Sequence, residues 1–526
     1  MASLAKHTSH SYDQAIKIDD NQVANQQQNN ALIITPLPWR QVAILLVVRI
    51  GEPIAFTILF PFVYFMVKDF HVTDDETQIG YYVGLIASSF ALAQTLTGIP
   101  WGILSDRIGR RPVIIMGLFG TAVNLFLFGL SKSLPWAIVT RTLCGLLNGN
   151  IGVVKSMMAE LTDKTNRGFY SKFKLLINPA QGFSLLPMMF GLGSIVGPIL
   201  GGFLSKPVEK YPWLFSGGMV TDFLTTFPYF LPCGLAASLL LMCAIFGLFF
   251  LEETMNLHAE AQPQAAVNEE SQPLINSSVN NYGSQAQSSV SHSSIESEGI
   301  VEPPQGMFKA FFGGTSKNSW MTVLGYSGLS LQTVMMDELL PIWAASPYIY
   351  GGLNFSSSDI GTLMAFGGTS LLLIQFLLYT PIHRKLGSLL MFRLSFLFFI
   401  PTILLFPISS LLTHEGFKWL LWPVLIVLIS ARSGCGVFAF TSINILIAET
   451  CPNRKTLGMV NGIAQCSGSF MRALGPTLCG FAFSWSLSND INFPLFKYSF
   501  TWIIIALMAL TNHLIALQIR TSASPF

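Results

Sequence analysis

The chain has 526 residues, of which 51% are hydrophobic and only 11% are charged, and its formal net charge is +2. Soluble domains carry about 25% charged residues, so this composition excludes a soluble globular protein. This net charge says little about partners, and we expect no nucleic acid among them. The seven cysteines are scattered along the chain, and they predict neither a disulfide framework nor a metal site.

Residues 1–38 are polar and rich in Gln, Asn and Ser. They predict a disordered tail rather than a signal peptide, because no apolar core or cleavage pattern is present. Twelve apolar segments follow, each near the length of about 20 residues that a membrane-spanning helix requires. They lie near residues 40–66, 79–103, 112–131, 135–158, 183–205, 228–251, 319–345, 359–381, 389–412, 419–447, 457–486 and 498–519. Helices are the expected form, because lipid cannot satisfy open backbone groups.

A polar stretch over residues 252–316 separates the first six segments from the last six. Its composition cannot build a core, so we expect a disordered linker. The predicted fold is an all-α membrane protein of twelve transmembrane helices, with six-helix bundles over 39–251 and 317–520 and a short tail over 521–526. Lysine and arginine are concentrated in loops 2–3, 4–5, 8–9 and 10–11, which predicts that both termini and the linker are cytosolic.

Short sequences recur in the two predicted halves. Arg141–Gly145 reads RTLCG and Arg432–Gly436 reads RSGCG, and the Gly-Pro pair at Gly197 returns at Gly475. Two repeated six-helix halves are a transporter architecture, with the substrate site at the midplane between them. The repeat therefore predicts two pseudo-symmetric bundles.

The turn between segments two and three reads GILSDRIGRR. Its charged residues and glycines are Gly102, Asp106, Arg107, Gly109, Arg110 and Arg111. The three arginines fit a basic cytosolic anchor, but that interpretation leaves Asp106 and the glycines unexplained. Glycine permits a close approach or a tight turn, and Asp106 can accept hydrogen bonds from a helix N-terminus or pair with an arginine.

This turn resembles the loop 2–3 signature of the major facilitator superfamily at essentially every position. The resemblance implies that Asp106 and Arg110 latch the two halves in one conformation. Loop 8–9 reads PIHRKLGS, which keeps the basic pair and a glycine but has no aspartate, so we expect a latch that differs between the halves. RTLCG at Arg141 also resembles the intramembrane arginine motif of this family.

The fifth segment contains GLGSIVGPILGG. Its small residues and proline include Gly193, Gly197, Pro198, Gly201 and Gly202. Three of these glycines recur every four residues, which predicts a bare helix face for close packing, and the proline predicts a kink. The segment resembles the span-five motif associated with antiporters, and a generic packing face is the alternative. RIGEPIAFTILFPF, from Arg49, resembles fungal drug:proton-antiporter-like members related to tetracycline exporters and plant zinc-induced facilitators.

Charged residues inside predicted spans are costly and are functional candidates by default. Glu52 lies about 18 Å along the first helix from Arg40, near the midplane, with Arg49 one turn earlier on the same face. The pair is either a static ion pair or a proton-carrying carboxylate tuned by its arginine. The remaining candidates for proton coupling or substrate contact are Arg141, Asp337 and Glu338, with Arg432 and Arg472 in the second half. Arg141 is alternatively a helix clamp, and the two acids of segment seven alternatively lie near the outer interface.

The chain has no Gly-Lys dipeptide, hence no Walker phosphate loop, and no His-Glu-x-x-His zinc motif. We therefore expect no enzyme and no cofactor, but a monomeric secondary transporter that exchanges a small molecule for protons across the lipid bilayer. An uncoupled facilitator and a non-transporting membrane sensor on the same scaffold are the alternatives.

Three local features refine this prediction. In the linker, EESQPLI with Glu270, Leu274 and Ile275 resembles an acidic dileucine sorting signal, which favours an internal membrane such as the vacuole over the plasma membrane or endoplasmic reticulum. The sequon at Asn354 falls in the predicted lumenal loop 7–8 and is a glycosylation candidate. Residues 168–179 disturb the spacing of the repeats, which predicts an insertion, either an amphipathic interfacial helix or a translated intron.

Overall fold

The structure is a computed structural model that describes residues 39–161, 185–255, 316–413, 418–451, 457–489 and 494–520. These residues form helices and connecting turns, with no β-strand among them. The predicted tails, the predicted insertion at 168–179, the sorting-signal residues and nearly all of the predicted linker lie outside the described residues.

Helices make up most of the first half of the described chain. Their bounds are α1 Trp39–Thr57, α2 Val63–Asp69, α3 Ile79–Ile108, α4 Arg110–Gly129, α5 Leu134–Leu147, α6 Asn150–Leu161, α7 Leu185–Leu204, α8 Pro207–Lys210, α9 Met219–Thr226 and α10 Phe230–Phe250. A 3-10 turn at Glu76–Gln78 precedes α3, and the Asp75 carboxylate caps it by accepting a hydrogen bond from the backbone N–H of Thr77 at 2.9 Å.

The second half is also helical in its described part. Its helices are α11 Lys317–Ala345, α12 Ser357–Leu373, α13 Tyr379–Ser409, α14 Lys418–Glu449, α15 Leu457–Ser488 and α16 Pro494–Gln518. A capping box begins α12: the Ser356 hydroxyl accepts from the Asp359 backbone N–H, and the Asp359 carboxylate accepts from the Ser356 N–H at 3.0 Å. A π-helical turn at Ile374–Leu378 joins α12 to α13.

Three predicted segments differ from the observed helices. The first is divided into α1 and α2 by a turn that contains Pro61, which has no backbone N–H to continue a helix. The fourth is divided into α5 and α6 at Asn148. The ninth differs in what precedes it: α13 joins two helices across a kink at Gly387, where φ is +72°, so the basic loop 8–9 is helical and the second helix begins at Ser388, beside its predicted start at 389.

Seven helical stretches among the described residues are long and apolar enough to cross a membrane, whereas the sequence predicts twelve segments. Helices α12 and α13 merge into one stretch over Ser357–Thr413, and α1, α7, α11 and α15 are not among the seven. The apolar part of α7 is short, Met188–Leu204. Helix α1 is interrupted and contains a charged pair. Helix α11 contains three charged residues, and α15 contains five serines and one arginine, which lower their hydropathy.

Two helix pairs dominate the packing between the first and second halves, α3 with α15 and α7 with α12. Glycines bring the backbones together in both pairs. Gly84 lies against Gly480, and Gly202 lies against Gly361. A Cβ at any of these glycines would meet backbone atoms of the facing helix, so the approach depends on residues without side chains.

This interface between the halves is closed at the end that carries Asp75. There the hydroxyls of Thr77 and Ser488 lie 2.8 Å apart. The backbone N–H of Tyr81 donates to the hydroxyl of Ser484 at 2.9 Å. We call this the Asp75 end of the interface.

At the opposite end, which carries Asp106, α3 and α15 are separated. A Cβ added to Gly98 on α3 or to Gly462 on α15 would meet no atom within 4 Å. The two helices therefore diverge from the Asp75 end toward the Asp106 end, and the space between them opens at the latter.

Candidate functional site

A buried carboxylate lies in the first half beside the break between α5 and α6. Glu52 forms an ion pair with Arg49 and accepts a hydrogen bond from the side-chain amide of Asn150 at 2.5 Å. Only 6% of Glu52 is exposed. Asn150 is the first residue of α6, so the carboxylate lies at a helix N-terminus, where unpaired N–H groups stabilise negative charge. Three features therefore stabilise the ionised form.

Side chains from α3 satisfy the carbonyl groups that the helix break leaves open. Gln94 donates to the carbonyl of Asn148 at 3.2 Å, and the Trp101 indole donates to the carbonyl of Leu146 at 2.7 Å. Broken helices whose ends point at a site recur in secondary transporters. Hydropathy predicts this segment as continuous, although its Asn-Gly-Asn run is a turn signal that indicates the break.

Polar side chains join α6 to the second half. Lys155 of α6 and Tyr326 of α11 donate to the same side-chain oxygen of Gln465 on α15, at 3.4 and 3.2 Å. Two turns further along α15, Arg472 donates to the hydroxyl of Ser469 at 2.8 Å. Sequence reasoning selected Arg472 but missed Lys155, although a lone lysine inside an apolar segment is itself a signal.

The remaining predicted charges lie on α11, α14 and α5. Asp337 forms an ion pair with Arg432 between α11 and α14. Glu338 is buried, and its Oε1 has no hydrogen-bond partner in the described part of the chain. The Arg141 guanidinium lies 4.5 Å from the ring centroid of Phe90, which is a cation–π contact. Its charge also attracts Glu338.

The Asp106 turn is the centre of a hydrogen-bonded network. Arg110 pairs with Asp106 and also with Glu160 of α6, the latter at 3.0 Å. Glu253, just after α10, accepts hydrogen bonds from the backbone N–H groups of Arg110 and Arg111 at 2.9 and 3.0 Å. It thereby caps α4 with a negative charge at its N-terminus.

The rest of the turn explains why this network stays compact. Gly109 has a φ of +102°, and a Cβ there would collide with the Glu253 carboxylate, so glycine is required twice over. Gly102 faces open space, and Arg107 is exposed. The Asp106 side chain is 64% exposed. All partners of the network among the described residues belong to the first half.

The glycine face of α7 packs mainly against α1. A Cβ would meet backbone atoms of α1, or of the turn that follows it, at Gly193, Gly197 and Gly201. Thr57 of α1 strengthens the contact by donating to the carbonyl of Gly193 at 2.8 Å. Gly202 faces α12 across the interface instead, and Pro198 lies inside α7 without ending it. The motif thus joins α7 both to its own half and to the other.

The glycosylation candidate lies in the turn between α11 and α12. Asn354 is exposed and has a φ of +50°, a conformation that asparagine tolerates better than most residues. Its side chain is therefore accessible from outside the helices.

The chain matches the Major Facilitator Superfamily over residues 45–476. It belongs to this superfamily of transporters and is an integral membrane protein. The multidrug transporter mfsB of Aspergillus fumigatus is 34% identical over 86% of this chain and 79% of its own length. The protein ZINC INDUCED FACILITATOR-LIKE 1 of Arabidopsis thaliana is 30% identical over 81% of this chain and 80% of its own. These relatives confirm the family and the subgroup resemblance.

Solved structures share the fold at low sequence identity. The D-xylose-proton symporter aligns with a TM-score of 0.61 and 12% identity, covering 92% of this chain and 98% of its own. The human organic anion transporter MFSD10 aligns with a TM-score of 0.55 and 17% identity, covering 92% and 100%.

Proposed function

We propose that this protein is a monomeric, proton-coupled transporter that exchanges a small molecule for protons by alternating access. In this proposal the twelve segments form two six-helix bundles, and the Asp106 end faces the cytosol together with both termini. Membership of a transporter superfamily supports the transport function. The closed Asp75 end and separated Asp106 end fit one of the two states that alternating access requires.

The observation that carries the coupling is the buried carboxylate Glu52. Its ionised form is stabilised by Arg49, by Asn150 and by the N-terminus of α6. Protonation removes the ion pair and leaves Arg49 without its counter-charge. Arg49 already repels Lys155, so a proton on Glu52 adds positive charge close to the interface between the halves. Proton binding can therefore change the balance between two conformations.

Two alternatives make different use of this site. An uncoupled facilitator needs no titrating group inside the membrane, and a sensor needs no cycle between two access states. A buried, hydrogen-bonded carboxylate is costly to maintain and supports coupled transport over both. We further propose an internal membrane, such as the vacuole, from the acidic dileucine sequence.

Glu52→Gln tests the coupling group. A compound identified by screening a deletion strain is followed in liposomes that contain the purified full-length protein and an imposed pH gradient. We expect Glu52→Gln to abolish uphill movement at normal protein levels, because glutamine keeps the hydrogen bond but cannot exchange a proton. Glu209→Gln is the matched control, since Glu209 lies in the short helix α8 and its side chain is 70% exposed. Uphill movement by Glu52→Gln would show that another group carries the proton.

A further inference from the structure

Two positive charges lie near each other at the interface between the halves. Lys155 of α6 donates to Gln465 of α15, and Arg472 lies two turns further along α15, where it contacts Ser330, one turn from the Tyr326 that also donates to Gln465. In the described part of the chain neither has a carboxylate within ion-pairing distance. Like charges inside a membrane protein are costly. An anion placed between the two helices would reduce the repulsion between them.

The surroundings of this pair are rich in hydrogen-bond donors. Tyr326 and Lys155 both direct their donors at Gln465, and Arg472 contacts the hydroxyls of Ser330 and Ser469 at 3.5 and 2.8 Å. Lysine has three donors and arginine five, so most of these donors are not used by the contacts above. Such a group suits the oxygens of a carboxylate, sulfonate or phosphate.

Both helices also have open space near the pair. A Cβ added to Gly152 on α6, or to Gly458 or Gly462 on α15, would meet no atom within 4 Å. Gly458 and Gly462 lie on the Asp106 side of Gln465. The closed Asp75 end lies on the other side.

We infer that the transported substrate carries an anionic group that binds between Lys155 and Arg472. This inference rests on the proposed transport function. A bound anion neutralises the repulsion between α6 and α15 and favours approach of the halves at the Asp106 end. Protonation of Glu52 has the opposite effect, because it frees the charge of Arg49 beside Lys155. Substrate and proton then favour opposite states, as exchange requires.

Binding of two dyes to the purified full-length protein tests the inference. Fluorescein is the anionic probe and ethidium is the cationic probe of similar size, and fluorescence anisotropy follows each titration near neutral pH. We expect saturable binding of fluorescein and none of ethidium. Lys155→Gln and Arg472→Gln should each raise the Kd for fluorescein about tenfold or more, because each removes a charge-assisted hydrogen bond.

Two further variants separate charge from structure. Lys155→Arg keeps the positive charge and is expected to keep binding. Lys132→Gln removes an exposed charge that lies in the turn between α4 and α5, over the Phe227 ring, and it is expected to change nothing. Absence of saturable fluorescein binding, or a Kd unchanged in both Lys155→Gln and Arg472→Gln, overturns the inference.

The outcomes distinguish this inference from the proposed function. If Glu52→Gln loses uphill transport and the unmodified protein does not bind fluorescein, coupled transport is supported and the anionic substrate class is refuted. Fluorescein binding that depends on Lys155, combined with transport that no pH gradient drives, would support the anion site and refute the coupling.

Discussion

Adding one methyl group to Gly84 should open the Asp75 end of the interface. A Cβ at Gly84 would lie 2.5 Å from the carbonyl oxygen of Pro476 and 3.4 Å from the Cα of Gly480. Ordinary contacts begin near 3.4 Å, so α3 and α15 must separate locally by about 0.9 Å, which is 3.4 minus 2.5. The obstructing atoms are backbone, so they cannot rotate away as a flexible side chain would.

The expected energy follows from the cost of overpacking. Inserting a methyl group where no space exists costs about 1–3 kcal/mol, and here the cost falls on the closed state alone. That corresponds to a shift of about 5- to 150-fold in the equilibrium between closed and open Asp75 ends. Gly98→Ala is the matched control, because it lies on the same helix but a Cβ there meets nothing within 4 Å. Both substitutions gain the same helix propensity of about 1 kcal/mol.

Labelling of a buried position reads the opening directly. Ser484 is buried at the Asp75 end, where it accepts from the Tyr81 backbone N–H. With Ser484→Cys in both variants, maleimide modification of that position is followed by peptide mass spectrometry, which separates it from the native cysteines. We expect faster labelling in Gly84→Ala than in Gly98→Ala. Equal labelling rates would refute the proposed opening of this glycine contact.

Three other perturbations follow from the contacts. The Asp106 side chain is 64% exposed, so Asp106→Asn should shift the balance of states by about 1 kcal/mol or less and slow transport while leaving KM nearly unchanged; an unchanged rate at equal expression would contradict this. Lys210 donates to Ser357 across the interface, and burial lowers its pKa to about 8 from 10.5. When the interface opens, Lys210 is exposed to water, its pKa returns toward 10.5, and it takes up a proton at a pH between these two values. A rise from pH 8 to 10 should therefore favour the closed state. We expect slower maleimide labelling of Ser484→Cys, relative to the Lys210→Met variant at the same pH. Arg432→Gln should lower the melting temperature more than the double variant with Asp337→Asn, because the single change leaves an unpaired carboxylate; additive losses would refute that coupling.

Hydropathy alone predicted where most helices lie. The segments predicted at 112–131 and 228–251 differ from α4 and α10 by only one or two residues at each end. Such helices are uniformly apolar between polar ends, so the membrane fixes their limits. The basic loop 8–9 is helical up to the kink at Gly387, which hydropathy did not predict, because a charged segment outside the bilayer can be helical too.

Contacts between distant segments could not be read from the sequence. Glu52 and Arg49 are one helical turn apart, so their pairing follows from spacing. The contact of Glu52 with Asn150 joins residues 98 positions apart and depends on how α6 begins beside α1. The pairing of Asp337 with Arg432, 95 positions apart, is of the same kind. Spacing along the sequence therefore identifies the candidate charged residues, whereas tertiary packing determines which residues they contact.

The Asp106 turn shows why a motif cannot specify a conformational state. Its sequence indicates which groups can pair, and Arg110 does pair with Asp106. The further partners, Glu160 and Glu253, come from the same half, and they hold Arg110 whether or not the second half approaches. Asp106 keeps most of its surface exposed at the separated end of the interface. A carboxylate in that position can accept new hydrogen bonds when the halves approach, at no cost to the cap on α4. The same residues can therefore serve two states, and the contacts between halves determine which state is occupied.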